Sequence, residues 1–532
     1  MKGRGSFAGS AQERFFQRLR RSWAPQEVTT LPPYAPQEKS WLRRVRGPVL
    51  TATFLGFLFF YGAFFALTAP YLLVPLSAPL ALLACVSIWA LPEMKRAPTS
   101  LMELLLFAFF ICLVLWPNYL AISLPGLPWI TLIRLTGFPM ALTLLVCVSI
   151  SQEFRSRLGE VLAATPYIWL LIACFAAIQF ITLPMSDSML GSAQKLVVAQ
   201  VNWIAVFFVS AYVFSRRGAA THWAVLFWLM AMVVCAVGIL ENRAEHVLWA
   251  GHIPSFLKVE DDSVQGILSA AMRRATGEYR VKAMFTTPLG LAEFLAYAAP
   301  FILHFAMGKY PSYLRLAAAA SLPVLLFVVT STDSRLGMVG CILALLAYAL
   351  YWGVMRWRSD PQSLVGPAVV LAYPAAFGVV VAATFFVTRL RRMVWGGGAQ
   401  QASNAGREIQ IETGIPKIAH NPFGYGIGQG AETLGTVGSG GMLTIDNYHL
   451  LIILEYGVLG FLVYYGIIIA SIIYSGREAI YPKLDSELTL LAPLCITMTN
   501  FLVIKSVFSQ QDNHPVIFMA LGMIAALVYR AQ

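Results

Sequence analysis

The chain has 532 residues, of which 58% are apolar and 12% charged. A soluble domain carries about 25% charged residues, so this composition excludes a disordered chain, a disulfide scaffold and an ordinary soluble enzyme, and leaves a polytopic membrane protein. The net charge of +12 is therefore sorted by side of the membrane, and no nucleic-acid partner is expected.

Residues 1–47 form a polar, basic tail with ten Lys and Arg ahead of the first apolar run. Such an excess marks a cytoplasmic N-terminus, and the tail lacks the pattern of a cleavable signal peptide. It either binds anionic lipid or a partner, or merely enforces orientation. Apolar runs near the length of a spanning helix, about 20 residues, follow within 48–240 at 48–67, 70–91, 101–117, 129–150, 161–184, 197–214 and 222–240. Four more lie within 288–388, at 288–308, 313–331, 336–355 and 363–388. The last three, within 447–532, are 447–474, 488–507 and 515–530. The expected fold is all-α, a helical bundle of about 14 transmembrane segments.

Alternate connections carry Lys95 and Arg96, Arg155 and Arg157, Arg216 and Arg217, Lys309 and Arg315, Arg356 and Arg358, Arg477 and Lys483, and finally Arg530. This alternation puts both termini in the cytoplasm and the two long connections, 241–287 and 389–446, outside. The seven cysteines all lie in apolar runs without a CxxC pair, and read as small core hydrophobes. Arg134 and Lys505, near the outer ends of their runs, read as side chains reaching for the interface.

The outer connections hold eleven Lys and Arg. General solvation of a long loop explains them, or an anionic ligand does. Residues 262–274 alternate as an amphipathic helix with Val264, Ile267, Leu268 and Ala271 on one face, expected to lie on the outer leaflet. Arg280 and Lys282 follow, positioned for lipid headgroups or for a ligand. In the second loop a helical pattern around 404–419 contains Arg407, and Pro416 is expected to end or bend it. Gly424, Gly426, Gly428 and Gly430 then alternate, a spacing that allows close backbone approach to a ligand or simply tight turns. Gly435, Gly438, Gly440 and Gly441 suggest a mobile flap.

Asp446, Asn447 and His449 stand at the mouth of the next span, with Glu455 about two turns deeper. A carboxylate there faces a cavity or a partner, or serves packing. The runs at 313–331 and 336–355 meet at TSTDSRLGMVG. That connection is too short for a solvated loop, so Asp333 and Arg335 sit at or just inside the outer surface, where Arg335 reaches for the interface, pairs with Asp333 or acts on a ligand.

Four stretches taken together resemble the O-antigen ligase and polysaccharide (O-antigen or exopolysaccharide) polymerase superfamily of bacterial inner-membrane proteins. They are YRVKAMFTTPLGLAEFLAYAAP, TSTDSRLGMVG, GREIQIETGIPKIAHNPFGYGIGQG and IDNYHLLIILEYGVLGF, in order, covering roughly residues 278–475. The chain departs from the pattern at Ala283, where Gly is usual, at Asp446 before Asn447, where ligases usually have His, and at His449, where Tyr is commoner. Asp-Asn favours the polymerase branch.

The resemblance implies a glycosyltransferase working on the periplasmic face of the inner membrane, without metal or other cofactor. Its donor would be an oligosaccharide on undecaprenyl pyrophosphate. Its acceptor would be a second lipid-linked repeat unit for a polymerase, or lipid A-core for a ligase. Other assembly proteins, such as a chain-length regulator, would be partners. Arginine is suited to hold a diphosphate, being planar, bidentate and always charged, so Arg280, Arg335 and Arg407 are the expected clamp. His449 is the first candidate to take the acceptor's proton, with Asp446 as alternative or orienting group and His420 third; Lys282 and Glu455 are further candidates. A polyprenyl-linked saccharide flippase is the competing class, although no internal repeat is visible and the unusual charges gather at one face.

Overall fold

The computed structural model describes Gly56 and residues 82–94, 96–123, 129–269, 279–360, 362–388, 391, 395, 401–437, 443–481 and 485–532. The chain divides into two units, Met1–Pro75 and Leu76–Gln532, and all of these residues except Gly56 belong to the second. The N-terminal tail, the run at 48–67 apart from Gly56, Arg273, Arg274 and the glycines at 438, 440 and 441 lie outside the described residues, and of the run at 70–91 only the helical stretch from residue 82 is described.

The described chain is all-α. In order, the helices are α1 (Thr99–Leu115), α2 (Leu132–Ile150), α3 (Gln152–Ala163), α4 (Pro166–Thr182), α5 (Met189–Val213), α6 (Ala219–Ala244), α7 (Asp262–Leu268), α8 (Pro288–Met307), α9 (Ser312–Ser331), α10 (Arg335–Ser359), α11 (Val365–Phe386), α12 (Gln401–His420), α13 (Gly430–Leu434), α14 (Tyr448–Ala479), α15 (Leu491–Lys505) and α16 (His514–Ala531). Eleven helical segments are long and apolar enough to cross a membrane, and α1 is a shorter apolar helix. Every expected apolar run from 101–117 onward corresponds to one of these twelve.

Their starts follow from local chemistry. Four backbone N–H groups at a helix start lack intrahelical partners, and a Ser, Thr or Asn oxygen answers one or more. Thr287 accepts from Gly290 N at 3.1 Å ahead of Pro288, and Ser334 from Gly337 N at 3.2 Å. Asn447 accepts from His449 N at 2.9 Å and Leu450 N at 3.2 Å.

Helices α8, α15 and α16 form the centre. The apolar window of α8 is 89% buried, whereas that of α11 is 0% buried. Small residues set the closest approaches, as in membrane bundles generally. A Cβ on Gly337 would come within 2.6 Å of Ala292, and one on Gly522 within 2.5 Å of the Phe207 carbonyl. Helix α5 contains a π-helical stretch at Gln200–Ala205, where Gln200 Nε2 donates to Gln179 Oε1 at 2.8 Å.

Successive spans alternate in direction, so the connections collect at two ends. At one end Gly218 N donates to Glu487 at 2.8 Å, Arg358 to the Ile480 carbonyl at 2.6 Å, and Arg157 to Tyr529 at 2.9 Å. At the other, Val281 N donates to the Ser331 carbonyl at 3.2 Å and Ser192 Oγ to the Ile427 carbonyl at 2.6 Å. The second end carries all the sequence-nominated site residues.

One expectation is narrowed and one corrected. Pro416 does not end α12, which continues to His420. Both Pro416 and Glu412, whose carbonyl loses its partner, are exposed, so water can meet the freed group. Lys505 does not reach for an interface. It is fully buried, in an ion pair of 2.7 Å with Glu293.

The amphipathic stretch is helical over 262–268, and Val264, Ile267 and Leu268 pack with Tyr119, Ala121 and Val259. Helix α3, between the runs at 129–150 and 161–184, was not expected. Its buried residues Phe154, Leu158 and Val161 recur at helical spacing.

Candidate functional site

The turn between α9 and α10 is three residues long. Asp333 adopts φ +48°, a left-handed conformation uncommon for a non-glycine residue. Ser334 then caps α10, so Arg335 is its first residue. Arg280 lies across this turn, its Nε donating to the Thr332 carbonyl at 3.0 Å. The fold thereby brings Arg280 and Arg335, far apart in sequence, to one reversal of the chain.

A second group forms where α12 meets the start of α14. Gln410, one turn from Arg407, accepts from the Asp446 backbone N–H at 2.9 Å and donates to the Thr444 carbonyl at 3.4 Å. Arg407 is half-buried. Burial pulls its pKa down from the usual arginine value, and the charge of Asp446 works against that. Asp446 directly precedes the Asn447 cap, and His449 lies in the first turn of α14. The His449 ring stands edge-on to Tyr465, with centroids 4.8 Å apart, and to Phe461 at 5.9 Å.

The remaining nominated residues have other surroundings. Lys282 is buried and donates from Nζ to the carbonyls of Ile267 and Ser269, tying α7 to the 279–283 segment. Burial lowers its pKa, and Glu241 opposes that. His420 is exposed at the end of α12. Glu455 is buried at a break in α14, and that break explains the alternating glycines.

Within α14, Gly457 has φ +71° and ψ −178°, which is not helical. The carbonyls and N–H freed there are answered by the 421–430 loop. Tyr425 N donates to the Leu454 carbonyl at 2.8 Å, Gly426 N to the Glu455 carbonyl at 2.9 Å, and Val458 N to the Pro422 carbonyl at 3.0 Å. A Cβ on Gly424 would come within 2.5 Å of Gly457 N, and one on Gly457 within 2.3 Å of the Pro422 carbonyl. The Glu455 carboxyl lies against the same loop, where a Cβ on Gly430 would come within 3.4 Å of its Oε1. The close approach that these glycines permit is thus to the broken helix. Lys195 holds the far side of the loop, donating to the Gly428 carbonyl at 2.9 Å.

Sequence reasoning missed a buried polar cluster beneath the start of α14. Besides Lys505, Glu293 accepts from Tyr297 at 2.6 Å and from Asn513 Nδ2 at 2.9 Å. Lys505 Nζ lies 5.0 Å from the centre of the Tyr448 ring, a cation–π distance. Thr286 donates to Asp512, whose carboxyl pKa is raised by burial against the pull of that hydrogen bond. His514 stacks on Trp203 at 5.0 Å. The available signal was Glu293 within an apolar run, an intramembrane carboxylate that calls for a partner. Among the described residues, no group of three or more His, Cys, Asp or Glu is arranged to hold a metal ion.

Fold and site together define a polytopic α-helical membrane protein whose unusual polar residues gather at one end of the bundle. Residues 294–465 match the family model described as O-Antigen ligase, which bears out the resemblance to the O-antigen ligase and polymerase superfamily. The matched segment contains Arg335, Arg407, His420, Asp446, His449 and Glu455; Arg280 and Lys282 precede it. No curated protein matches the chain.

Proposed function

We propose that this protein is a periplasmic-face glycosyltransferase that polymerises undecaprenyl-pyrophosphate-linked oligosaccharide units in the bacterial inner membrane, independently of metal. In the step envisaged, an acceptor hydroxyl oxygen attacks the anomeric carbon of the donor sugar. The bond from that carbon to the diphosphate oxygen breaks, and the diphosphate leaves with the electron pair. His449 or Asp446 takes the hydroxyl proton. Arg280, Arg335 and Arg407 stabilise the charge developing on the leaving group.

The observation that carries this reading is the Arg280–Thr332–Arg335 turn. Two guanidinium-bearing residues meet at one helix start, at the end of the bundle that also bears Asp446 and His449. The family match supports it from the other direction. Because that family is described as a ligase, transfer to lipid A-core is the second reading, while Asp446 before Asn447 favours polymerisation.

Arg335→Ala is expected to abolish polymer in a complementation assay at unchanged protein level, a loss of about a hundredfold or more, as when a main electrostatic contact to a leaving group is removed. Wild-type polymer length and amount would take Arg335 out of the site. Purified protein given lipid-linked oligosaccharide alone should build a ladder; dependence on added lipid A-core would select the ligase reading.

A further inference from the structure

The buried carboxylate of Glu241 has no place in the chemistry above. It lies in the last turn of α6, fully buried, where an unsatisfied polar group costs several kcal/mol. Three donors satisfy it. Tyr279 Oη donates at 2.6 Å, Lys282 N at 3.1 Å and Ala283 N at 2.7 Å. Consecutive backbone N–H groups converging on one anion form a nest. Here the anion belongs to the protein, and the nest requires Ala283 to adopt φ +47°. The Lys282 side chain is engaged with the Ile267 and Ser269 carbonyls, so the hydrogen bond that Glu241 takes from this residue comes from its backbone.

Residues 279–283 are bound on their other side to the end of α9 and the turn after it. Val281 N donates to the Ser331 carbonyl, and Arg280 Nε to that of Thr332. Val281 also packs at Gly238, where a Cβ would come within 3.3 Å of it. Arg280 therefore projects from a short segment tied down at both neighbours, with Glu241 making three of the ties.

We infer that Glu241 is the positioning residue for Arg280. By gathering Tyr279, Lys282 and Ala283 it fixes the segment in the one register that lays the Arg280 guanidinium on the turn carrying Arg335. The inference rests on the reading that Arg280 grips the donor's diphosphate. A glutamine at this position could not accept from all three donors and would turn its own NH₂ against one of them.

A double-mutant cycle tests this, read as binding of undecaprenyl pyrophosphate to the full-length protein in nanodiscs. Glu241→Gln should weaken binding about tenfold, the scale of losing hydrogen bonds to a charged group. Adding it to Arg280→Ala should weaken binding no further, because a positioning residue has no effect once the group it positions is gone. The milder Tyr279→Phe, which removes a single tie, should show the same pattern at about two- to threefold, and carries the test if Glu241→Gln does not fold. Ala283→Gly, which relaxes the nest, should partly rescue Glu241→Gln. Equal, additive losses in both backgrounds would overturn the inference while leaving the clamp in place. Unchanged binding by Arg280→Ala would overturn the clamp, and the inference with it.

Discussion

The two ends of the bundle handle charge differently. At the end opposite the site, arginines pair with carboxylates, and Glu487 also accepts from the backbone of Gly218 and Thr221. Arg530 bridges Asp485 and Glu487, Arg216 meets Glu103 at 2.9 Å, and Arg155 meets Glu93 at 2.7 Å. At the site end one buried carboxylate, Glu293, pairs with Lys505, while that of Glu241 instead takes backbone N–H groups from a five-residue segment. Pairing charge with charge ties one helix to another and needs only two long side chains. Anchoring backbone on a carboxylate fixes the path of an irregular segment. The end that carries the proposed chemistry is built of such segments, so their shape has to be specified residue by residue.

The largest effect belongs to the buried Glu293–Lys505 pair at the site end. Lys505→Met should leave Glu293 with only Tyr297 and Asn513 as donors, and should lower stability by about 3–5 kcal/mol, the usual cost of stranding one member of a buried pair. Thermal unfolding in detergent measures it. Glu293→Gln combined with Lys505→Met should recover most of the loss, since removing both charges removes the stranded one. If the single variant unfolds like the wild type, the pair contributes nothing.

Next comes the helix break. Gly457→Ala forces a Cβ into the Pro422 carbonyl at a positive φ, and about 2–3 kcal/mol of destabilisation is expected from strain and overpacking. Limited proteolysis should then show cleavage in the 421–430 loop before general unfolding. A wild-type cleavage pattern would mean that the loop docks without the break.

Most of this architecture was legible because its signals are local. Spanning helices announce themselves as apolar runs, and TSTDSRLG is too short for anything but a tight reversal. Legibility failed where one local signal hid another or where the partner was distant. Helix α3 was lost because Arg155 and Arg157 read as a basic loop, although Phe154, Leu158 and Val161 keep helical spacing. Pairing of Glu293 with Lys505 is set by how α8 and α15 pack, which no periodicity encodes. The alternating glycines were recognised as sites of close approach, but a sequence cannot say whether a ligand or a helix backbone does the approaching.

Smaller effects probe the contrast from the opposite end. Arg216 is about half exposed, so its bonds to Glu103 and Thr99 are screened by water, and Arg216→Met should cost about 1 kcal/mol or less. A loss as large as that of Lys505→Met would mean that burial does not set the strength of these pairs. The smallest effect belongs to Ala283, where two terms nearly cancel. Its left-handed backbone costs an alanine roughly 1–2 kcal/mol that a glycine does not incur, while a glycine loses roughly 0.5–1 kcal/mol more conformational freedom on folding. Ala283→Gly should therefore stabilise the protein by about 0.5 kcal/mol. The gain should be larger in Glu241→Gln, where no carboxylate remains to hold the turn. A loss on Ala283→Gly in both backgrounds would mean that the methyl group packs usefully and that the turn is not strained.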